Sequence, residues 1–157
     1  VGGFMAKFQY RMQNILDVKL KIESQAKIAY GIANAKLEEE QMKLQKLIIR
    51  RAGYEQQAKE LMMGNIDIQE VRNCRKAIDT MKSLIRTQMM QVHVAEKNLE
   101  AARKRLNDVM VERKTHEKLK EKAFETFKQE LQYAENKEID ELVSYTYHGK
   151  ENADESR

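Results

Sequence analysis

The chain has 157 residues, of which 34% are charged, 41% hydrophobic and 6% aromatic, with no proline or tryptophan and a formal net charge of +4. That much charge excludes a compact globule with a broad core, and that much apolar content excludes plain disorder, whereas a narrow apolar seam between polar-faced helices accommodates both. No apolar run approaches 18 residues, so nothing reads as a membrane span. The single cysteine, Cys74, excludes an internal disulfide.

The start has no signal-peptide core; Val1-Gly2-Gly3-Phe4 reads as a vector-derived addition, with the natural start at Met5. From there to Met63 the spacing predicts one helix, over about 6–63. Phe8, Met12, Ile15, Ile22, Ala26 and Ala29 follow 3–4 spacing, with Lys19 in one slot. The seam then slips by about one residue and continues through Tyr30, Ala33, Leu37, Leu44, Leu47, Tyr54, Ala58 and Leu61. Gly31 and Gly53 each cost roughly 1 kcal/mol against alanine, which marks this helix as the weaker one and as a place for bends.

Helix-ending and helix-starting signals coincide at Met63-Gly64-Asn65-Ile66-Asp67. Gly64 can take the left-handed conformation that closes a helix. Asp67 is an N-cap candidate, with Glu70 placed for a capping box and Ile66 and Val71 for a hydrophobic staple. The prediction is a hairpin turn at 64–66, with Gly64, Asn65 and Asp67 as its defining residues.

The second helix is predicted over about 67–147. Positions 71, 74, 78, 81, 85, 88, 92, 95, 99, 102, 106 and 109 are apolar except for Gln88, a sustained heptad signal. Between Glu112 and Lys118 the apolar seam stops. It returns more loosely at Leu119, Ala123, Phe124, Phe127, Leu131 and Leu142, and residues 148–157 read as a flexible polar tail. The fold class is therefore all-α: a long antiparallel two-helix coiled-coil hairpin, a single domain over 5–147, with the second helix extending beyond the first. With the reversal near residue 65, Ile22 falls near Asp108 and Phe8 near Lys122. Residues from about 123 to 145 would then overhang, on the order of 30 Å at 1.5 Å per residue, exposing Phe124, Phe127 and Leu131. Charge is segregated: residues 103–122 hold eight Lys/Arg against four Asp/Glu, and residues 123–157 hold four against nine.

No catalytic grouping emerges. His93, His116 and His148 are far apart and none pairs with Cys74, so no metal or cofactor site is expected. His116 reads as a solvated surface histidine and Cys74 as a small core residue. There is no phosphate-cradling glycine loop or nucleophile elbow. The basic run 103–105 lacks the interleaved aromatics of an RNA reader, so no nucleic-acid partner is expected. Composition alone leaves a generic coiled-coil dimerisation module open.

Three pieces carry a resemblance. Met5-Ala6-Lys7-Phe8-Gln9-Tyr10-Arg11-Met12-Gln13-Asn14-Ile15-Leu16-Asp17 is similar to the opening of the FliJ family of flagellar type III export proteins. Glu112 to Lys122 resembles that family's Glu-Arg-Lys…Glu-Lys-Leu block, and Lys137 to Leu142 its C-terminal Asp-Glu element. The resemblance implies a non-enzymatic stalk like the central one of rotary ATPases. Its open end would enter the hexameric flagellar export ATPase (FliI type), with Arg11, Arg113, Lys114, Lys118, Phe124 and Phe127 as contacts. Its tip half would face the export gate membrane protein (FlhA type), with Leu47, Tyr54, Met81, Leu84 and Gln88 falling on the gate-binding patch, although Arg50 and Ala77 stand where an aromatic is expected. The ATPase regulator (FliH type) and export chaperones are further implied partners. The implied place is cytoplasmic, peripheral at the inner face of the cell membrane at the flagellar base. The equivalent stalk of a virulence type III secretion system, or a chaperone-escort module, remains the alternative.

Overall fold

The structure, a computed structural model, describes residues 7–156, so the reading of residues 1–4 and the start at Met5 lie outside the described residues. Two helices account for nearly all of it, α1 (Gln13–Leu61, 49 residues) and α2 (Ile68–Glu155, 88 residues), and no strand occurs among the described residues. The chain divides into two compact units, one of Lys21–Met110 and one joining the residues up to Leu20 with those from Val111 onward.

In the unit 21–110, α1 and α2 pack antiparallel across the turn. The end of α1 tightens, Met62 N–H donating to the Lys59 carbonyl at 3.2 Å and Met63 N–H to Glu60 at 3.1 Å. Gly64 then takes a φ of 82°, a left-handed conformation that would cost an L side chain roughly 1–2 kcal/mol. Asp67 caps α2: its Oδ1 accepts from the N–H groups of Gln69 at 3.0 Å and Glu70 at 3.4 Å, and its carbonyl accepts from Val71 at 3.1 Å. These bonds satisfy donors that a helix N-terminus otherwise leaves open. Across the seam, Cys74 Sγ lies 3.1 Å from the Tyr54 carbonyl, and Gln88 Nε2 donates to the Glu40 carbonyl at 2.9 Å and to its carboxylate.

The α1 seam differs from its sequence reading. The main stripe of buried and half-buried positions runs Leu16, Lys19, Glu23, Ala26, Tyr30, Ala33, Leu37, Glu40, Leu44, Leu47, Arg51, Tyr54, Ala58 and Leu61, an unbroken alternation of threes and fours, with Gln13 and Ile22 half-buried beside it. There is no slip. Met12 and Ile15 are 42% and 41% exposed, while Leu16 is 3% exposed. The apparent slip arises because Glu23 and Glu40 occupy interior slots, each ion-paired to lysines on the same helix, Glu23 to Lys27 at 3.4 Å and Glu40 to Lys36 at 3.1 Å. Gly31 and Gly53 lie within α1 with open space around them, and the helix continues through both.

In the other unit, residues 7–12 run without helix and place Phe8 against α2, its ring centroid 5.1 Å from that of Phe124 and 5.5 Å from that of Phe127. The α1 helix starts at Gln13, later than the sequence reading, after a turn in which Gln13 N–H donates to the Tyr10 carbonyl at 3.1 Å. Lys19 bridges to Glu112 at 2.8 Å. The α2 seam does not stop at Glu112: Arg113, His116, Lys120, Ala123 and Phe127 continue its half-buried positions at the same spacing. From Gln132 to Ser156 every residue is exposed, and the helix persists to Glu155, through the stretch read as a polar tail.

Candidate functional site

The expected contact residues separate into two groups by unit. In the unit carrying both terminal stretches, Arg11, Lys114 and Lys118 are exposed, and they stand on the two elements that pack together there. Arg113 is different. Its side chain is 18% exposed and pairs with Glu117 at 2.9 Å, so it sits in the seam and helps hold it. Phe124 and Phe127 are likewise part of the packing, the reverse of the expected bare overhang. Phe8 covers both rings, Lys128 Nζ stands 4.7 Å over the Phe124 ring, and Phe124 keeps 39% exposure. An edge-to-face pair of this kind adds about 0.5–1.5 kcal/mol beyond burial. The exposed apolar surface falls further along α2 than the sequence reading placed it.

Electrostatics at this end are local. Glu112 is held below the ordinary carboxylate range, first by the hydrogen bond from Lys19 and then by that ammonium's charge. One turn on, His116 faces the seam with Nδ1 buried and without a hydrogen-bond partner, not a solvated surface group. The physical reason is register: His116 lies seven residues after Val109, on the same interior stripe. The Tyr10 hydroxyl in this unit is also buried without a partner.

In the unit 21–110, Leu47, Tyr54, Met81, Leu84 and Gln88 all lie near the turn half of the seam, with different freedom. Met81 is 7% exposed and is core; Gln88 is committed to Glu40; Leu47 and Tyr54 are half-buried; Leu84 is 44% exposed. Leu84 and the open edges of Leu47 and Tyr54 are what a partner can reach without parting the helices. Cys74 is buried, and its contact with the Tyr54 carbonyl makes it a seam residue. Among the described residues no cluster of three His, Cys, Asp or Glu has metal-holding geometry, and no helix is long and apolar enough to cross a membrane.

Two features escaped the sequence pattern. The charged interior residues Glu23, Glu40 and Arg51 were hidden because a seam search looks for apolar side chains; seven-residue counts back from Leu61, which reaches Glu40, and from Ala58, which reaches Arg51 and Glu23, find them. The stripe of Ile139, Val143 and Tyr147 beside Leu142 was visible as 3–4 spacing but was masked by the acidic residues between its members.

The family model described as flagellar FliJ protein matches residues 8–152. The chain belongs to the flagellar FliJ family. A FliJ-family relative from Bacillus subtilis (strain 168), named flagellar FliJ protein, is 24% identical over 135 residues, covering 86% of this chain and 92% of the relative. No solved structure matches. The FliJ match runs through both units described above, from Phe8 through the turn into the exposed stretch of α2.

Proposed function

We propose that this chain is a non-catalytic component of the flagellar type III protein export apparatus. It acts as a stalk that enters the hexameric export ATPase (FliI type), promotes its assembly and activity, and couples it to the export gate (FlhA type), with the regulator (FliH type) and export chaperones as further partners. Its place is the cytoplasmic face of the membrane at the flagellar base. The family match over residues 8–152 carries this reading. Two features support it. Exposed cations, Arg11, Lys114 and Lys118, sit on paired elements, and rim charges of this kind set encounter rate and orientation without locking a partner in place. A narrow seam between two helices with polar outer faces suits a protein that works by contact.

The test uses the two lysines and leaves Arg113 alone, because reversing Arg113 beside Glu117 would weaken the seam itself. Lys114→Glu/Lys118→Glu should keep native helicity by circular dichroism. It should bind the export ATPase on the order of tenfold more weakly and stimulate it less at fixed concentration, since each reversed contact is worth about 1 kcal/mol. The purified chain alone should hydrolyse no ATP. Undiminished ATPase binding by the folded double variant would remove the pore assignment.

A further inference from the structure

Residues 132–156 of α2 are exposed without exception, yet they are not uniformly polar. Ile139, Leu142, Val143 and Tyr147 are 56%, 57%, 63% and 63% exposed, and their 3–4 spacing puts them on one face. A shallow groove follows that face from Glu135 and Glu138, past Ile139 and Leu142, to Tyr147 and Lys150. Thr146, between them, donates its hydroxyl to the Leu142 carbonyl at 2.9 Å, so it presents its methyl group outward. A contiguous apolar face on a helix without a tertiary partner calls for a cover, both for its surface and for the helix's own stability.

The order of residues on the stripe says what the cover is. It begins with carboxylates, Glu135 and Glu138, and ends with an ammonium, Lys150, with the apolar residues between. Turned end for end, the pattern complements itself. About a two-fold axis between Leu142 and Val143, those two side chains meet their counterparts, Ile139 faces Thr146, and Glu135 comes opposite Lys150 twice over. Such self-complementarity is what an isologous contact requires. Parallel pairing would instead set Glu135 against Glu135, a like-charge contact. Lipid or nucleic-acid surfaces are disfavoured by Glu135, Glu138, Asp140 and Glu141.

We propose that residues 135–150 of α2 form an antiparallel two-fold contact with a second copy of this chain, centred between Leu142 and Val143. The contact does not depend on the export reading. Sixteen residues span about 24 Å of helix, a short interface, so the association is weak and concentration-dependent. Sedimentation equilibrium of the whole chain, from micromolar to near-millimolar concentration, tests it. The wild type should move from monomer toward dimer, and Leu142→Glu should stay monomeric throughout. Glu135→Lys and Lys150→Glu should each weaken the dimer on the order of tenfold, and the double variant Glu135→Lys/Lys150→Glu should recover it, because each new lysine again meets a new glutamate. All three side chains project from an otherwise unpacked helix, so circular dichroism should be unchanged. A wild type monomeric at every concentration overturns the proposal. So does self-association that survives Leu142→Glu, or a double variant no tighter than the singles.

Discussion

Glu40 shows how a charged side chain is kept inside a two-helix seam. It is 6% exposed, accepts from Gln88 across the seam, and is flanked by Lys36 at 3.1 Å and Lys43 at 3.6 Å on its own helix. Its carboxyl is held below the ordinary carboxylate value, first by the Gln88 hydrogen bond and next by that from Lys36, against the opposing effect of burial. Because the folded value is the lower one, the ionised group stabilises the fold fully above the ordinary carboxylate range, and that contribution is lost as pH falls through the depressed value. Thermal melts of wild type should therefore drop in Tm as pH goes below about 4, and Glu40→Gln should flatten that dependence; parallel curves would show that other carboxylates govern the acid limb. His116 is the opposite case, a buried ring nitrogen with nothing to bond. An unsatisfied buried polar atom costs about 1–3 kcal/mol, so His116→Leu should raise stability, read as slower amide exchange across residues 109–123. Faster exchange there would mean that the imidazole has a partner in solution.

Helix by helix, the fold was legible in unequal measure. The α2 register from Val71 to Val109 could be read directly, because Gln88 is the only polar member of that stripe. The turn was legible too, since glycine with a downstream aspartate has few other physical uses in a helical sequence. The α1 register was not. Glu23, Glu40 and Arg51 hold interior slots as Lys19 does, and a rule that reads those three as outside moves the stripe onto Met12, Ile15 and Ala29 instead. Beyond Val109 the same rule ended the α2 seam early, although Arg113 and His116 keep its period. Long side chains can lay their methylene stems along a partner helix while their charged ends find a carboxylate, as Lys19 does with Glu112. Of the expected contacts, Arg11, Lys114 and Lys118 are exposed while Arg113 lies in the seam, and the phenyl rings pack with Phe8, because nothing local to Phe124 says that Phe8 will cover it.

For the molecule as a whole, family membership and structure bear on different questions. The match over residues 8–152 ties the chain to flagellar biology, and the structure shows which side chains remain free to act in it. Gln88 and Met81 are occupied with holding helices together, whereas Lys114, Lys118 and Leu84 are not. The same thin seam carries a thermodynamic signature. Among the described residues not one side chain is sealed below 2% exposure, and the buried apolar set is small: Leu16, Ala26, Cys74, Met81, Ile85, Ala95 and Val109. The heat capacity released on unfolding scales with apolar surface newly wetted, about 12–15 cal/mol/K per residue for globular domains. This chain should fall clearly below that range by scanning calorimetry across a pH series, and a globule-like value would mean that much more is buried in solution. A small heat-capacity change flattens the stability curve, so cold should threaten this protein little, and its working margin should vary gently over the temperatures at which cells swim.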